Sequence, residues 1–270
     1  FSNYSFLKII QHAEKVFSDA TVDCDTIVVK KSLPTTNKVQ LIKQKAAEIL
    51  LSFDVEQKIL LDNDVINLEI SPQERLIADK VFKTSLLVKD ILSVKNGVKP
   101  YEKGKGTPPQ TDEIMRTKPF TSEIKVNDTF VPLIGGSSFQ KYNLLWNSNE
   151  YISYGCWLAA PRDSSIFFDK EEKLVFRQTS DKLVGTLIGK GFVMRNNTHI
   201  LLKINNDFDL KFVLSLLNSK LLNFIYWTIN PEKGEALAEV KAFHLGMLPI
   251  KKISLDAQQP FIAHADSMLE

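Results

Sequence analysis

The stretch from Tyr151 to Asp181, YISYGCWLAAPRDSSIFFDKEEKLVFRQTSD, is the strongest single constraint on how this chain folds. It crowds tyrosines, a tryptophan, phenylalanines and two arginines around runs too short to be helices. Leu174 to Arg177 reads as a strand, with Leu174 and Phe176 on one face and Val175 and Arg177 on the other. Tyr151 to Leu158 is a second β-like run, broken by Gly155, where a bulge or a close backbone approach is expected. Between them, Ala160-Pro161-Arg162-Asp163 reads as a turn that presents an arginine. Arginines displayed from turns and strand ends suit contacts to phosphates or guanine edges. The competing use is an ion pair of Arg177 with Asp181 on a sheet surface.

The flanking sequence alternates helical and extended signals. Phe6, Ile9, Ile10 and Ala13 have the spacing of a short amphipathic helix, and Thr26 to Val29 follows as an extended run. Val39 to Ile42 suits a strand and Lys45 to Leu51 a helix, because Ala46, Ala47, Ile49 and Leu50 favour helix. Ser71-Pro72-Gln73-Glu74 is a helix start: the serine caps, the proline takes the first helical position and Glu74 reaches back. That helix is expected to end near Ser85. Gly185 to Gly191 reads as a turn-rich link before an apolar strand over Ile200 to Ile204. One long helix, capped by Asp207 or Asp209, follows, with Leu210, Val213, Leu214, Leu217, Leu221, Phe224 and Ile225 as its apolar face. Leu248-Pro249-Ile250 reads as an exposed edge strand, and Phe261 to Leu269 as a further helix.

At 270 residues, with 44% hydrophobic and 24% charged residues, the chain can bury a sizeable core. The net charge of +2 decides nothing about partners, since local patches matter more than the sum. Cys24 and Cys156 stand alone, which fits a reducing cytoplasm, and the scattered His12, His199, His244 and His264 offer no metal-ligand spacing. The apolar run from Leu210 to Trp227 is interrupted by Lys211, Asn218, Ser219, Lys220 and Asn223, so no membrane span is expected. The chain begins at Phe1, which gives the expectation of a piece of a longer protein.

Catalytic constellations are missing from the sequence. Gly104-Lys105-Gly106 and Gly189-Lys190-Gly191 lack the spacing and the following Ser or Thr of a phosphate loop. No G-x-S-x-G elbow occurs. Glu56-Gln57-Lys58 and Glu171-Glu172-Lys173 match only half of a nuclease site and lack a preceding aspartate on a paired strand. Thr107-Pro108-Pro109-Gln110 resembles the Pro-Pro tetrapeptide of amino-methyltransferases. However, Thr107 cannot bond the target amine as an amide or carboxylate would, and Gln110 cannot stack on a base as an aromatic would.

Residues 93–125 carry seven Lys or Arg against four acids, a local excess of three, among dense turn formers. Such a long basic loop, with Tyr101 and Phe120 embedded, suits nucleic-acid contact; a solvated loop is the alternative. Six ordered segments then carry a family resemblance: PYEKGKGTPPQ, YISYGCWLAAPR, EKLVFRQTSD, NNTHI, DLKFVLSLLNSKLLNFIY and AEVKAFHLGMLPI. Together they resemble the TaqI-like C-terminal specificity domain of adenine-specific DNA methyltransferases and type IIG restriction-modification enzymes. Residues 1 to about 31, with VFSDATVDCDTIVVKK, resemble the last strands of the catalytic domain in such enzymes.

The resemblance implies an α+β fold: a mixed β-sheet target-recognition domain with flanking helices over 39–270, preceded by a remnant of an α/β methyltransferase domain over 1–38. It implies double-stranded DNA as partner and an upstream methyltransferase domain in the same chain. S-adenosylmethionine is expected for the parent enzyme and no cofactor for this part. The implied division of labour is base flipping by the catalytic domain and sequence reading by the specificity domain. Lys99, Lys103, Lys105, Arg116 and Lys118 are then phosphate candidates. Gln140, Lys141 and Tyr142, after the Gly135-Gly136 turn, are base-contact candidates, and Arg162 and Arg177 suit either role. Asn197 and His199 are expected to make local hydrogen bonds at a strand start. Lys233, Lys241 and His244 rank below the central loops. A protein-interaction module, using the aromatic cluster Tyr151 to Trp157 as a hydrophobic surface, is the alternative.

Overall fold

The computed structural model describes residues 3–20, 22, 24–34, 38–61, 70–230 and 238–270. Lys233 lies outside the described residues. The chain forms two compact units, residues 1–83 and 84–270.

In the first unit, β1 (Ser5–His12), β2 (Cys24–Lys30), β3 (Lys38–Lys45) and β4 (Glu48–Glu56) form one sheet in the order β2-β1-β3-β4. β1 and β3 run parallel and the other pairs antiparallel. The helix expected from Phe6 onward is therefore a strand. Against β2 the register slips between Phe6 and Lys8, so Leu7 is the extra residue of a bulge. The bulge lets Phe6 and Ile9, three residues apart, share one buried side of a strand. An i, i+3 apolar pair therefore marks a bulged strand as well as a helix.

Val39 to Ile42 lies in β3 as expected, but Lys45 to Leu51 is a hairpin and not a helix. Ala46 turns the chain in the left-handed region, φ 50°, and β4 pairs back along the length of β3. After α1 (Gln57–Leu61), α2 (Pro72–Phe82) begins as the sequence dictates. The Ser71 hydroxyl accepts from Glu74 N–H and the Glu74 carboxylate accepts from Ser71 N–H at 2.8 Å. This helix stops at Phe82, three residues short of the expected end, and Ser85 opens a strand. The division at 38/39 implied by resemblance differs from the division into compact units; β1 and β3 lie side by side across it.

The second unit contains β5 (Ser85–Leu87), α3 (Val88–Ile91), β6 (Leu92–Asn96), α4 (Asp112–Thr117), β7 (Thr121–Ser122), β8 (Phe130–Ile134) and β9 (Tyr151–Ser153). It continues with α5 (Ser165–Phe168), β10 (Glu172–Arg177), β11 (Gly185–Gly189), β12 (Val193–Met194) and β13 (Thr198–Lys203). α6 (Leu210–Leu217), α7 (Lys220–Ile229), α8 (Ala242–Gly246), β14 (Pro249–Lys251) and α9 (Leu255–Leu269) complete it. The sheets are β11-β10-β13-β6, β12-β8-β9-β7 and the pair β14-β5. The expected α+β class with a mixed sheet and flanking helices is what the chain adopts: β8 and β12 pair in parallel while β10 pairs antiparallel on both sides.

One core joins the two larger sheets, with Val175, Ile188 and Ile200 from one and Leu133, Ile134, Ile152 and Met194 from the other. α6 packs against β10 and β11. Leu174 and Phe176 are as fully buried as Val175, so both faces of β10 are covered. This explains why the strand reads as a continuous apolar run, not an alternating one. Gly185 to Gly189, expected as a turn-rich link, is the partner strand of β10. A Cβ at Gly185 would sit 2.4 Å from the Phe176 ring, so glycine here is a packing requirement.

The single long helix expected after Asp209 is two helices, bent by 68° between Leu217 and Lys220. Asn218 ends α6, and its amide donates to the Gly185 carbonyl at 2.9 Å and accepts from the Gly185 N–H at 3.0 Å. Ser219 then caps α7, accepting from Leu222 N–H at 3.1 Å. Polar satisfaction of the sheet outweighs helix continuity at this point. No single helix among the described residues is long and apolar enough to cross a membrane. Leu248, Pro249 and Ile250 form a strand end as expected, but a buried one, paired with β5. α9 begins six residues before Phe261, capped by Ser254.

Candidate nucleic-acid interface

The basic segment is not a slack loop. α4 lies within it, capped by Thr111, and Lys118 ends the helix in the left-handed region at φ 47°. Lys99 and Ala160 exchange backbone hydrogen bonds at 2.9 and 3.0 Å, and Thr107 N–H donates to the Cys156 carbonyl at 2.9 Å. Gln110 is buried at the centre. Its amide donates to the Pro100 and Trp157 carbonyls, both at 2.8 Å, and accepts from Glu102 N–H at 2.9 Å. Gln110 thus clamps the segment onto the Tyr151–Asp181 stretch. Tyr101 stacks on Phe120 at 5.6 Å between ring centres and accepts from Phe120 N–H at 2.7 Å.

On this fixed frame the cations point outward. Lys103, Lys105, Arg116 and Lys118 are exposed. Lys103 pairs with Asp112 at 2.7 Å, both in solvent, and Lys99 with Glu102 at 2.7 Å, both about two-fifths exposed. Exposed pairs of this kind contribute on the order of 0–1 kcal/mol and open readily for a phosphate. The hydrogen bond and charge of Lys99, with Lys105 further off, hold the Glu102 carboxyl below its usual range. The side chains of Lys105, Arg116 and Lys118 have no hydrogen-bond or ion-pair partner among the described residues.

The remaining candidates differ in what they have left to offer. Gln140 is exposed, with its backbone closed into a turn with Asn143. Lys141 donates to the Asn218 carbonyl at 2.6 Å, and burial, with the nearby Lys182 charge, lowers its pKa. Tyr142 sits at φ 65°, and burial raises the pKa of its phenol. Arg177 donates to the Phe139 carbonyl from Nε, at 3.1 Å, and from Nη2, with its guanidinium 5.7 Å over the Phe139 ring. Arg177 therefore holds the Phe139–Tyr142 loop and does not pair with Asp181. Arg162, at φ 65°, donates from Nε to the Gly97 carbonyl at 3.0 Å, and the rest of its guanidinium has no partner among the described residues.

Arg162 and Lys99 meet in a groove of about 380 Å3 at one end of the sheet, together with Asn96, Gln178, Asn196 and Lys241. Sequence reasoning missed Asn96, Gln178 and Asn196 and ranked Lys241 low. Asn197 and His199 behave as expected. Asn197 Oδ1 accepts from Gly136 N–H at 3.1 Å, and His199 is buried between Asn96 and the Val240 carbonyl. Burial lowers the His199 pKa despite the Val240 contact and the Glu239 charge, which oppose it.

The aromatic cluster does not form a bare patch. Tyr154 and Trp157 pack against the shared core, Trp157 donates to the Ser153 carbonyl at 2.9 Å, and Gly155 lies directly under the Trp157 ring.

Among solved structures, the chain resembles the type IIL restriction-modification enzyme MmeI in complex with DNA, with a TM-score of 0.51 and 11% identity, over 98% of this chain and 38% of that one. It also resembles the type IIG restriction endonuclease BpuSI, with a TM-score of 0.48 and 9% identity, over 98% of this chain and 39% of that one. The HsdS subunit from Thermoanaerobacter tengcongensis matches at a TM-score of 0.42 and 10% identity, over 72% of this chain and 42% of that one. The chain thus spans about two-fifths of the length of these proteins, and the likeness to MmeI is one of fold. No curated protein matches it. Residues 131–250 match the family model of the TaqI-like C-terminal specificity domain.

Proposed function

We propose that this chain recognises a double-stranded DNA target for a restriction-modification enzyme. In this reading it positions a target adenine for methylation by a catalytic domain elsewhere in the same protein, with S-adenosylmethionine as the methyl donor and the cytoplasm as the place of work. The observation that carries the reading is the frame-mounted cation cluster: Lys103, Lys105, Arg116 and Lys118 stand outward on a segment that Gln110 fastens to the core. Because buried hydrogen bonds fix the backbone that carries these cations, that backbone needs no ordering on meeting phosphates, and more of the attraction goes into affinity and register. The family model matched by residues 131–250 and the fold shared with MmeI, solved in complex with DNA, support the same conclusion.

The test is duplex binding at graded salt. If each of the four cations neutralises one phosphate, they contribute about −3.6 to the slope of log affinity against log salt. Reversing the charges of Lys103, Lys105 and Arg116 together is expected to abolish binding at 150 mM salt while leaving the fold intact. No binding of the unaltered protein to any duplex at low salt refutes the proposal. Unchanged binding by the triple variant removes the cation cluster from it.

A further inference from the structure

We propose that the groove holding Asn96, Lys99, Arg162, Gln178, Asn196 and Lys241 reads nucleobase edges, with Asn196 and Gln178 suited to adenine and Arg162 to guanine. This rests on the DNA-recognition reading above and names the residues that would supply its sequence preference.

The groove is built by the sheet. β13 runs antiparallel to both β6 and β10, with His199 opposite Asn96 and Thr198 opposite Arg177. The end of β6, the end of β10 and the approach to β13 therefore lie side by side. The Lys99–Ala160 bridge brings Arg162 to the same edge. Five backbone segments separated in sequence deliver their polar side chains to one concavity.

The side chains there have spare hydrogen-bonding capacity, unlike the amides that hold the fold together. Gln110, Asn197, Asn218, Asn223 and Gln258 all bond backbone groups inside the fold. By contrast, the Asn196 amide has no partner among the described residues and is exposed. Among the described residues, the Gln178 side chain makes only a long 3.4 Å contact, to Glu239. Asn96 faces His199 Nδ1 at 3.1 Å, while His199 Nε2 donates to the Val240 carbonyl at 2.6 Å. The Asn96 atom at that contact is Oδ1, so its NH2 group is the one left without a partner among the described residues. Arg162 is anchored through Nε alone, which aims its two terminal nitrogens into the groove.

The chemistry of the lining selects the ligand. A phosphate would use only the cations of this lining, whereas the Glu239 carboxylate and the amides of Asn96, Gln178 and Asn196 offer acceptors as well as donors. A base edge offers donors and acceptors side by side and suits a wall that does the same. Asn and Gln pair bidentately with adenine N6 and N7, and Arg with guanine O6 and N7. Lys99 and Lys241 at the rim place positive charge beside the groove, where an adjacent phosphate backbone would run.

The experiment starts with the intact protein and a pool of 30-base-pair duplexes with a randomised core, selected at low salt to define the preferred sequence. Asn196→Ala and Gln178→Ala, both solvent-facing changes, are then selected on the same pool, and Asn196→Asp and Gln178→Glu serve as variants that replace the donor NH2 by an acceptor. Each Ala variant is expected to lose roughly 10- to 100-fold of discrimination at one or two positions with an unchanged salt slope. The acidic variants are expected to shift the preferred base there. Charge reversal at Lys105 should do the opposite, lowering the slope and keeping the preference. A selected sequence that survives all four groove variants overturns the proposal while leaving DNA recognition standing. Failure of the unaltered protein to bind any duplex overturns both.

Discussion

Replacing Lys173 by methionine should stabilise this protein at neutral pH. Lys173 lies in β10, is fully buried, and donates to the Gly189 carbonyl at 2.7 Å. Burial pushes its pKa from 10.5 down to about 8. The folded state therefore holds the proton less tightly than the unfolded chain. Below pH 8 both states carry the charge, and the full cost of burying it, about 3 kcal/mol, weighs against folding. As pH rises from 8 to 10.5 the folded state sheds the proton first, and the cost disappears. Methionine has nearly the same length and no charge, and gives up one hydrogen bond worth about 1 kcal/mol. The variant should be more stable by about 2 kcal/mol at pH 7. That advantage should shrink above pH 8 and reverse near pH 10.5. Urea unfolding followed by tryptophan fluorescence reports on the right unit, since Trp146, Trp157 and Trp227 all lie within residues 84–270. A difference between the two proteins that is constant from pH 7 to 10 would falsify the argument.

Two further substitutions probe the frame. Asn218→Ala leaves the Gly185 N–H without its acceptor, while the Gly185 carbonyl keeps its bond from Tyr142 N–H at 3.0 Å. One orphaned buried donor implies a loss of about 1–3 kcal/mol in the same urea experiment. Gln110→Ala removes three hydrogen bonds, two that brace the cation-bearing segment internally and one that ties it to Trp157. Amide exchange over residues 101–110 should then accelerate at least tenfold, and duplex affinity should fall with the salt slope unchanged. A fall in the slope itself would mean that Gln110 governs how many phosphates are touched.

How much of the fold could be read from sequence depended on whether local and tertiary demands agreed. At Ser71 they agreed, and the capping box appears as predicted because all its partners lie within three residues. At Phe6 and Ile9 they diverged, since one bulge residue turns a strand into a helical imitation. The 210–229 segment shows the same limit from the other side. Its apolar stripe is real, and Leu210, Val213, Leu214 and Leu217 are buried. What breaks it is Asn218, whose partner at Gly185 is 33 residues away and invisible to any local pattern. Gln110 repeats the lesson. In sequence it is the wrong last residue for a methyltransferase tetrapeptide, and in the structure it is a buried clamp.

The candidate site was harder to read because neighbouring residues of one type have opposite uses. In Asn196-Asn197 the second amide closes an internal bond to Gly136 and the first has none among the described residues. In the two arginines of the opening stretch, Arg177 is engaged through both Nε and Nη2 on Phe139, whereas Arg162 is engaged only through Nε on Gly97. Composition and spacing treat each pair as equivalent. Strand register separates them: Thr198 opposite Arg177 fixes which side chains point along the sheet end and which turn into the fold. The segments that identify a family are therefore mostly those that hold the frame. In the groove reading, discrimination is left to side chains such as Gln178 and Asn196, which sit within those segments but bond nothing buried and can change without unfolding the domain. A domain built this way keeps one architecture while the sequence it reads drifts, and substitutions in the groove should alter base preference at little cost in stability.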